Sequence, residues 1–345
     1  MGKRNEKKIK CVVWDLDNTL WHGVLAENDE VSLKQEVVTI IETLDRRGIL
    51  QSVASKNDFD QVMAQLEVFG LHDFFLYPQI NWNSKAAAIR NIAESINIGL
   101  NTIAFIDDQP FERHEVNFTY PEVLCIDAGN VDTILELPQM KPHFVTEDSK
   151  NRRLMYMSDI KRSKLEQAFQ GPQEAFLATL DMVFTLSDAT EDDLQRAEEL
   201  TVRTNQLNTT GYTYSYEELK HFCLSESHKL VVASLTDKFG PYGKIGLALI
   251  EKKPDVWIIK LLLMSCRVMS RGVGTILINH IRKEAKRHGV KLHAEMIPND
   301  RNRMMYITYK FSSFTEIHHN NHVVIFENDL SAIPEFPDYI TVEIL

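Results

Sequence analysis

Cysteine is scarce in this chain: four among 345 residues, Cys11, Cys125, Cys223 and Cys266, with no CxxC pair. That excludes a zinc knuckle and a disulfide framework, and it fits a reduced, cytoplasmic protein. Long apolar runs are missing too, so the sequence offers no membrane span. Residues 1–10 are basic but have no apolar core of the signal-peptide kind, and read as a solvated end. No internal repeat and no low-complexity tract is present. An excess of positive charge is also lacking. The formal net charge is −11, which argues against a nucleic-acid partner held through its phosphates. What remains is ordinary: 44% hydrophobic and 25% charged residues, in a length that suggests two domains.

The richest stretch is Asp15-Leu16-Asp17-Asn18-Thr19, directly after the apolar run 9–14. Alternate residues at a strand end project to the same side, so both carboxylates reach one point beyond the strand. There they can share a Mg²⁺ and leave an oxygen free to attack phosphorus. Further pieces follow in chain order. A second strand candidate, 50–54, ends in Ser55-Lys56-Asn57; Lys85 opens a helical pattern; a third strand candidate, 102–106, ends in Asp107-Asp108. Phosphoryl transfer asks for this set: oxygen ligands for a metal, and a hydroxyl and a cation for the phosphoryl oxygens. In an open α/β sheet such groups meet beyond the carboxyl ends of the strands. Asn57 also reads as the cap of the next helix.

Strand patterns at 10–14, 50–54, 74–77, 102–106 and 123–126 alternate with helical patterns at 37–47, 58–69 and 85–96, which predicts a parallel sheet with covering helices. The insert between Asn18 and Gln35 is short. It leaves room for a small flap containing Trp21, His22 and Gly23, not for a large cap domain. Residues 138–172 read as a helical connector punctuated by Pro138 and Pro142, with Thr146 as a cap and solvated Arg and Lys side chains. The domains expected are therefore 1–137, that connector, and 173–345. In the last, strands at 180–186, 229–235, 246–251, 256–264 and 291–296 and a helix at 273–288 form an α+β pattern like that of GCN5-related acetyltransferases. The tail beyond Glu327 is acidic and carries two prolines.

Arg271-Gly272-Val273-Gly274 lies between a strand and a helix, where exposed N–H groups can hold phosphate oxygens and glycine permits close approach. Cys266 stands at the end of the preceding strand, next to Arg267, a cation able to raise its thiolate fraction. His293 and Glu295, on one face of a strand, are candidates for base and orienting partner. Arg282, Lys283, Lys286, Arg287 and His288 form a basic cluster on a helix; its plain reading is a solvated face.

The ordered set in the first half resembles the haloacid dehalogenase superfamily of aspartate phosphotransferases. That resemblance implies Asp15 as nucleophile, Asp17 as general acid/base, Ser55, Lys56, Asn57 and Lys85 around the phosphoryl group, and Asp15, Asp17, Asp107 and Asp108 at a Mg²⁺. The wording Trp14-Asp15-Leu16-Asp17-Asn18-Thr19-Leu20-Trp21, Ser55-Lys56-Asn57-Asp58 and Ile80-Asn81-Trp82-Asn83-Ser84-Lys85 is similar to the FkbH-like family. So are Thr204-Asn205-Gln206-Leu207-Asn208-Thr209-Thr210, Leu263-Met264-Ser265-Cys266-Arg267-Val268 and Ala294-Glu295-Met296-Ile297-Pro298. The likeness runs from about Lys8 to about Ile317. It implies a dehalogenase-like domain joined to an acetyltransferase-like one. The activity implied is transfer of a glyceryl group from 1,3-bisphosphoglycerate, with release of phosphate, to the phosphopantetheine thiol of an acyl carrier protein for polyketide-type biosynthesis. In that reading Cys266 and His293 serve acyl transfer, and Arg267, Arg271, Gly272 and Gly274 the pantetheine-phosphate turn. Lys238-Phe239-Gly240-Pro241-Tyr242-Gly243 and Phe311-Ser312-Ser313-Phe314 depart from the family wording. The alternative is a Mg²⁺-dependent phosphatase whose second domain only binds a protein partner.

Overall fold

The computed structural model describes residues 8–27, 30–320 and 322–345. The chain divides into two compact units, Met1–Met157 and Ser158–Leu345. The fold is mixed α/β: a parallel-sheet unit comes first, and a unit with a separate mixed sheet follows. No helix among the described residues is long and apolar enough to cross a membrane.

The first sheet runs Gln79–Ile80, Leu50–Ser55, Cys11–Trp14, Ile103–Asp107, Leu124–Asp127, with every neighbouring pair parallel. Cys11–Trp14 is central and wholly buried, as expected of a strand covered by helices on both faces. Three helices on these strands match their sequence patterns: Gln35–Arg46, Phe59–Val68 and Lys85–Ile96. The strand expected at 74–77 is not formed. His72–Phe74 is a 3₁₀ turn, and Tyr77 has φ 51°, which breaks the extended run before Pro78. The pairing passes to Gln79–Ile80 instead. The expected flap is a hairpin of Trp21–His22 with Ser32–Leu33, but Trp21 is fully buried. It anchors the hairpin and does not cover the site.

The connector helix is interrupted. Glu147–Lys150 and Arg152–Ala168 are separate helices, the first capped by Thr146 accepting from the Ser149 N–H. Its basic residues are not all solvated, contrary to expectation. Arg152 donates to Gly48 O (2.6 Å) and Arg153 reaches Asp45 (3.1 Å), both within the first unit. Arg162 has no exposed surface in the second unit, where it holds Asp237 through two bonds of 2.7 Å and Asp159 through one of 2.8 Å.

The second sheet has eight strands in the order Phe314–Asn320, Val323–Asn328, Lys291–Met296, Val256–Met264, Gly240–Lys252, His228–Asp237, Met182–Asp188, Ile340–Ile344. Among the described residues two of its pairings are parallel: Val256–Met264 with Lys291–Met296, and Met182–Asp188 with Ile340–Ile344. Side chains alternate along Val256–Met264. Leu261 and Leu263 pack under helices Leu194–Arg203 and Tyr216–Cys223, while Leu262 and Met264 face helices Val273–Arg287 and Arg303–Phe311. The basic cluster at the end of Val273–Arg287 is a solvated face at Lys286, Arg287 and His288, but not at Arg282 and Lys283. Arg282 is buried and gives its protons to Asn328, Asn279, Asp329 O and Ala332 O, and Lys283 pairs with Glu335. These contacts tie the acidic tail down and lead it to the sheet edge.

Candidate active site

Three neighbouring strands of the first unit end in polar residues at one edge. Asp15 follows Cys11–Trp14, and its N–H bonds Ile106 O at 2.9 Å, which fixes the chain as it leaves the sheet. Asp107 closes the strand on one side and Ser55 the strand on the other; all three are buried. Beyond Asp15 the chain must reverse. Leu16 O accepts from the N–H groups of Thr19, Leu20 and Trp21, and Asn18 takes the left-handed φ of 54° that asparagine tolerates well.

Lys85 joins the strand ends. Ser84 caps its helix by accepting from the Ala87 N–H, which sets Lys85 on the first turn facing inward. Its ammonium lies 2.5 Å from Asp15 Oδ1, 3.2 Å from Asp107 Oδ2 and 2.7 Å from Ala54 O. Burial pushes the Asp15 carboxyl up to about 7; Lys85 opposes this and Asp107 adds to it. Asp107 is raised for the same first reason, burial, against the pull of Lys85. Burial would lower Lys85, but the two carboxylates together hold it above its usual value. Two buried acids and one shared cation make a group short of positive charge. Oxygens of Asp15, Asp107 and Asp108 lie within 4.8 Å of one another, and this donor set fits a hard divalent cation such as Mg²⁺.

Asp17, expected among the metal carboxylates, is not in that group. Its Oδ1 accepts from the Trp21 indole N–H (2.8 Å) and the Leu25 N–H (3.1 Å), and its Oδ2 from the Asn57 amide (2.8 Å). Asn57 is not a helix cap either, since Asp58 takes that place by accepting from the Gln61 N–H at 3.0 Å. Asn57 reaches Ser55 Oγ as well, at 3.2 Å. Lys56 lines the same cavity of about 160 Å³, but its ammonium is paired with Glu112 at 2.7 Å. The site thus gathers Asp15, Asp17, Ser55, Lys56, Asn57, Lys85, Asp107 and Asp108.

Sequence reasoning overlooked several supports. Thr19 Oγ1 accepts from the Asp108 N–H at 3.2 Å, Gln109 donates to Asp107 Oδ1 and Asp108 Oδ2, and Arg113 holds Asp107 O at 2.7 Å while pairing with Asp127. Thr19 and Gln109 sit within a turn of a recognised acid, a spacing that was available to read. The Arg113 pairing depends on tertiary contact.

In the second unit the parallel strands Val256–Met264 and Lys291–Met296 pair over only four residues, Val256 with Lys291 through Ile259 with Ala294, and then part. Into the gap comes Leu207–Asn208–Thr209. Thr209 N donates to Leu262 O (3.0 Å), Met264 N to Leu207 O (2.9 Å), and Ile297 N to Thr209 O (3.0 Å). Asn302, fully buried, donates to Asn208 O, Thr209 O and Ile297 O. A cavity of about 120 Å³ opens beside this insert, lined by Met264, Gly272, Val273, Gly274, Thr275, Met304 and Thr308 among others. Gly272 takes φ 74° at the helix entry, and a side chain there would collide with the Tyr339 hydroxyl. The glycine turn is where the sequence put it.

Its expected partners are scattered. Cys266 begins the 3₁₀ turn Cys266–Arg271, is partly exposed, and does not line the cavity. Arg267 donates to Tyr242 O (2.7 Å) and approaches Asp159, while Arg271 pairs with Glu166 (3.0 Å). His293 bonds Glu327 at 3.2 Å and Glu295 bonds Lys260 at 2.5 Å, so the expected His293–Glu295 pair is absent. His293 stands level with Ile258, six residues and roughly 20 Å of strand before Met264, and Cys266 lies beyond that strand end. The structure does not bring His293 and Cys266 together.

No protein-family model matches the chain, and none of the curated proteins does. Solved structures do. The N-terminal, phosphatase-domain part of a Bacteroides fragilis protein, crystallised with Mg, is 31% identical over 37% of this chain, with a TM-score of 0.34. This chain covers 39% of that one. The ribosomal-protein-S18-alanine N-acetyltransferase of Escherichia coli is 18% identical over 44% of this chain and 97% of its own, TM-score 0.36. The PaiA N-acetyltransferase of Thermoplasma acidophilum, in complex with coenzyme A, is 13% identical over 42% and 98%, TM-score 0.35.

Proposed function

We propose that the first unit is a Mg²⁺-dependent aspartyl phosphotransferase and phosphatase, and that the whole chain transfers a glyceryl group from 1,3-bisphosphoglycerate to the phosphopantetheine thiol of an acyl carrier protein. The observation that carries this reading is the Lys85 bridge between buried Asp15 and Asp107 at adjoining strand ends. Asp15 supplies the oxygen that attacks the phosphorus of the 3-phosphate ester, the acyl phosphate being displaced by the thiol, and Asp17 hands a proton to the leaving glyceryl oxygen and later takes one from water. Lys85 and Ser55 hold the phosphoryl oxygens as their charge grows. Mg²⁺, held by Asp15, Asp107 and Asp108, would neutralise phosphoryl charge. In the second unit the cavity beside Gly272 and Gly274 would take a pantetheine arm. Cys266, on the 3₁₀ turn that leads to Gly272, receives the acyl group as a thioester: its sulfur bonds the acyl carbon as the carbon–oxygen bond to phosphate breaks, and the thiol proton leaves with the phosphate.

A second reading has its own support. Arg267 and His293 are bound elsewhere, and Leu207–Thr209 fills the parted strands. Both suit a phosphatase whose second unit only binds a protein partner. Intact-protein mass spectrometry after mixing with 1,3-bisphosphoglycerate, Mg²⁺ and a carrier bearing its phosphopantetheine separates the two. A glyceryl mass on the carrier supports transfer; phosphate release with an unmodified carrier supports the second reading.

A further inference from the structure

A tryptophan without exposed surface is ordinarily a core residue, and Trp21 does pack on Phe69, ring centroids 6.1 Å apart. Its indole N–H goes elsewhere, to Asp17 Oδ1 at 2.8 Å. The Leu25 N–H reaches the same oxygen at 3.1 Å, and the Asn57 amide takes Oδ2 at 2.8 Å. Three donors from two separate stretches of chain thus fix the plane of one short carboxylate, which also lines the cavity with Asp15. The Trp21 donor is the most rigid of them, because its ring is locked on all sides.

We propose that Trp21 is a positioning residue for Asp17. The inference rests on the phosphatase reading. In the first step an Asp15 oxygen forms a bond to phosphorus while the bond from phosphorus to the leaving oxygen breaks, and that oxygen takes the proton of Asp17. In the second, water oxygen bonds phosphorus, the Asp15–phosphorus bond breaks, and the proton lost by water passes to Asp17. The fixed plane of Asp17 matters most in the second step, where a small, mobile water must be met at a defined point.

p-Nitrophenyl phosphate separates the steps, because nitrophenolate leaves without a proton. With the full chain, Mg²⁺ and this substrate, Trp21→Phe keeps an aromatic ring, smaller than the indole, and loses the N–H. Expected are a kcat about tenfold lower, the size of a hydrogen bond to a charged group, a KM within about twofold, and a larger fraction of acid-quenched protein carrying labelled phosphate. Phe69→Leu, which removes the packing partner and keeps the N–H, is expected to leave that fraction at the wild-type level. The proposal is overturned if Trp21→Phe turns over normally, if it fails to fold, or if Phe69→Leu accumulates phosphoenzyme equally. A wild-type protein that neither releases nitrophenolate nor becomes labelled sinks the phosphatase reading itself.

Discussion

The two units build their candidate sites in opposite ways. In the first, charged side chains from the ends of two adjacent strands and one helix converge until two buried acids share a single cation. In the second, the polar side chains near the glycine turn are drawn apart, each into its own structural bond, and an apolar cavity bounded by inserted backbone remains. The difference teaches what each unit can do unaided. Convergent charge stores electrostatic strain that chemistry can use. A cavity walled by backbone and methionines offers shape and waits for a ligand to bring the reactive group.

Asp15→Asn tests the contrast most severely. An amide neither attacks phosphorus nor carries the charge a metal needs, so phosphate release is expected to fall by roughly 10⁴-fold or more, as read by an inorganic-phosphate assay on protein whose fold is checked by circular dichroism. Release within tenfold of wild type would remove Asp15 as nucleophile, and the contrast with it.

Strain predicts a pH effect next. Asp15 has its pKa raised from 3.8 to about 7 by burial. A carboxyl that holds its proton more tightly when folded contributes stability below the unfolded pKa, and that contribution is lost as pH rises through the folded one. In chelator, stability is therefore expected to drop between about pH 4 and pH 7, by up to about 4 kcal/mol from this group. Urea midpoints across that range, with and without Mg²⁺, check the sign. A rise would contradict it, and Asp15→Asn should flatten the slope.

For the second unit the expected effects are smaller. Asn302→Ala removes three bonds of 2.9–3.2 Å from one buried amide and is expected to cost about 2 kcal/mol in the second unit's unfolding transition, with phosphate release unchanged. Cys266→Ser is expected to slow carrier loading about tenfold through the weaker nucleophile, again sparing phosphate release. Loading at the wild-type rate would leave the thiol with no part in transfer.

The legibility of the sequence follows the same divide. Asp15, Ser55, Lys85 and Asp107 were readable because each sits at the end of an apolar run or the start of a helix, and a parallel sheet collects such ends on one edge. The Val256–Met264 and Lys291–Met296 strands were readable from their apolar patterns. The orientation of Asp17 was not, since two of its donors come from folding a hairpin back on the strand and the third, Asn57, from the end of the neighbouring strand. The pairing of Arg267 with Tyr242 O, of Arg282 with the tail, and of His293 with Glu327 are long-range choices among several available acceptors. The strand at 74–77 failed on a 3₁₀ turn that runs through Phe74 and on one backbone angle, at Tyr77. Strands Phe314–Asn320, Val323–Asn328 and Ile340–Ile344 were missed because their alternation is half polar and they lie near the edges of a sheet.

Ile340–Ile344 has a consequence for the order in which the second unit assembles. It pairs in parallel with Met182–Leu186, and its Glu343 meets Thr185 across a separation of 158 residues. Neighbouring hairpins such as His228–Asp237 with Gly240–Lys252 close over a two-residue turn. Loop-closure entropy grows with the enclosed length, so the hairpins form first and the sheet waits for its outermost strand. Until that strand docks, Met182–Asp188 presents an unpaired apolar edge, the kind of surface on which folding intermediates associate. The hold of Arg282 on Asp329 O and Ala332 O shortens the free path of the tail. It works as a guide, delivering the last strand to the edge it protects.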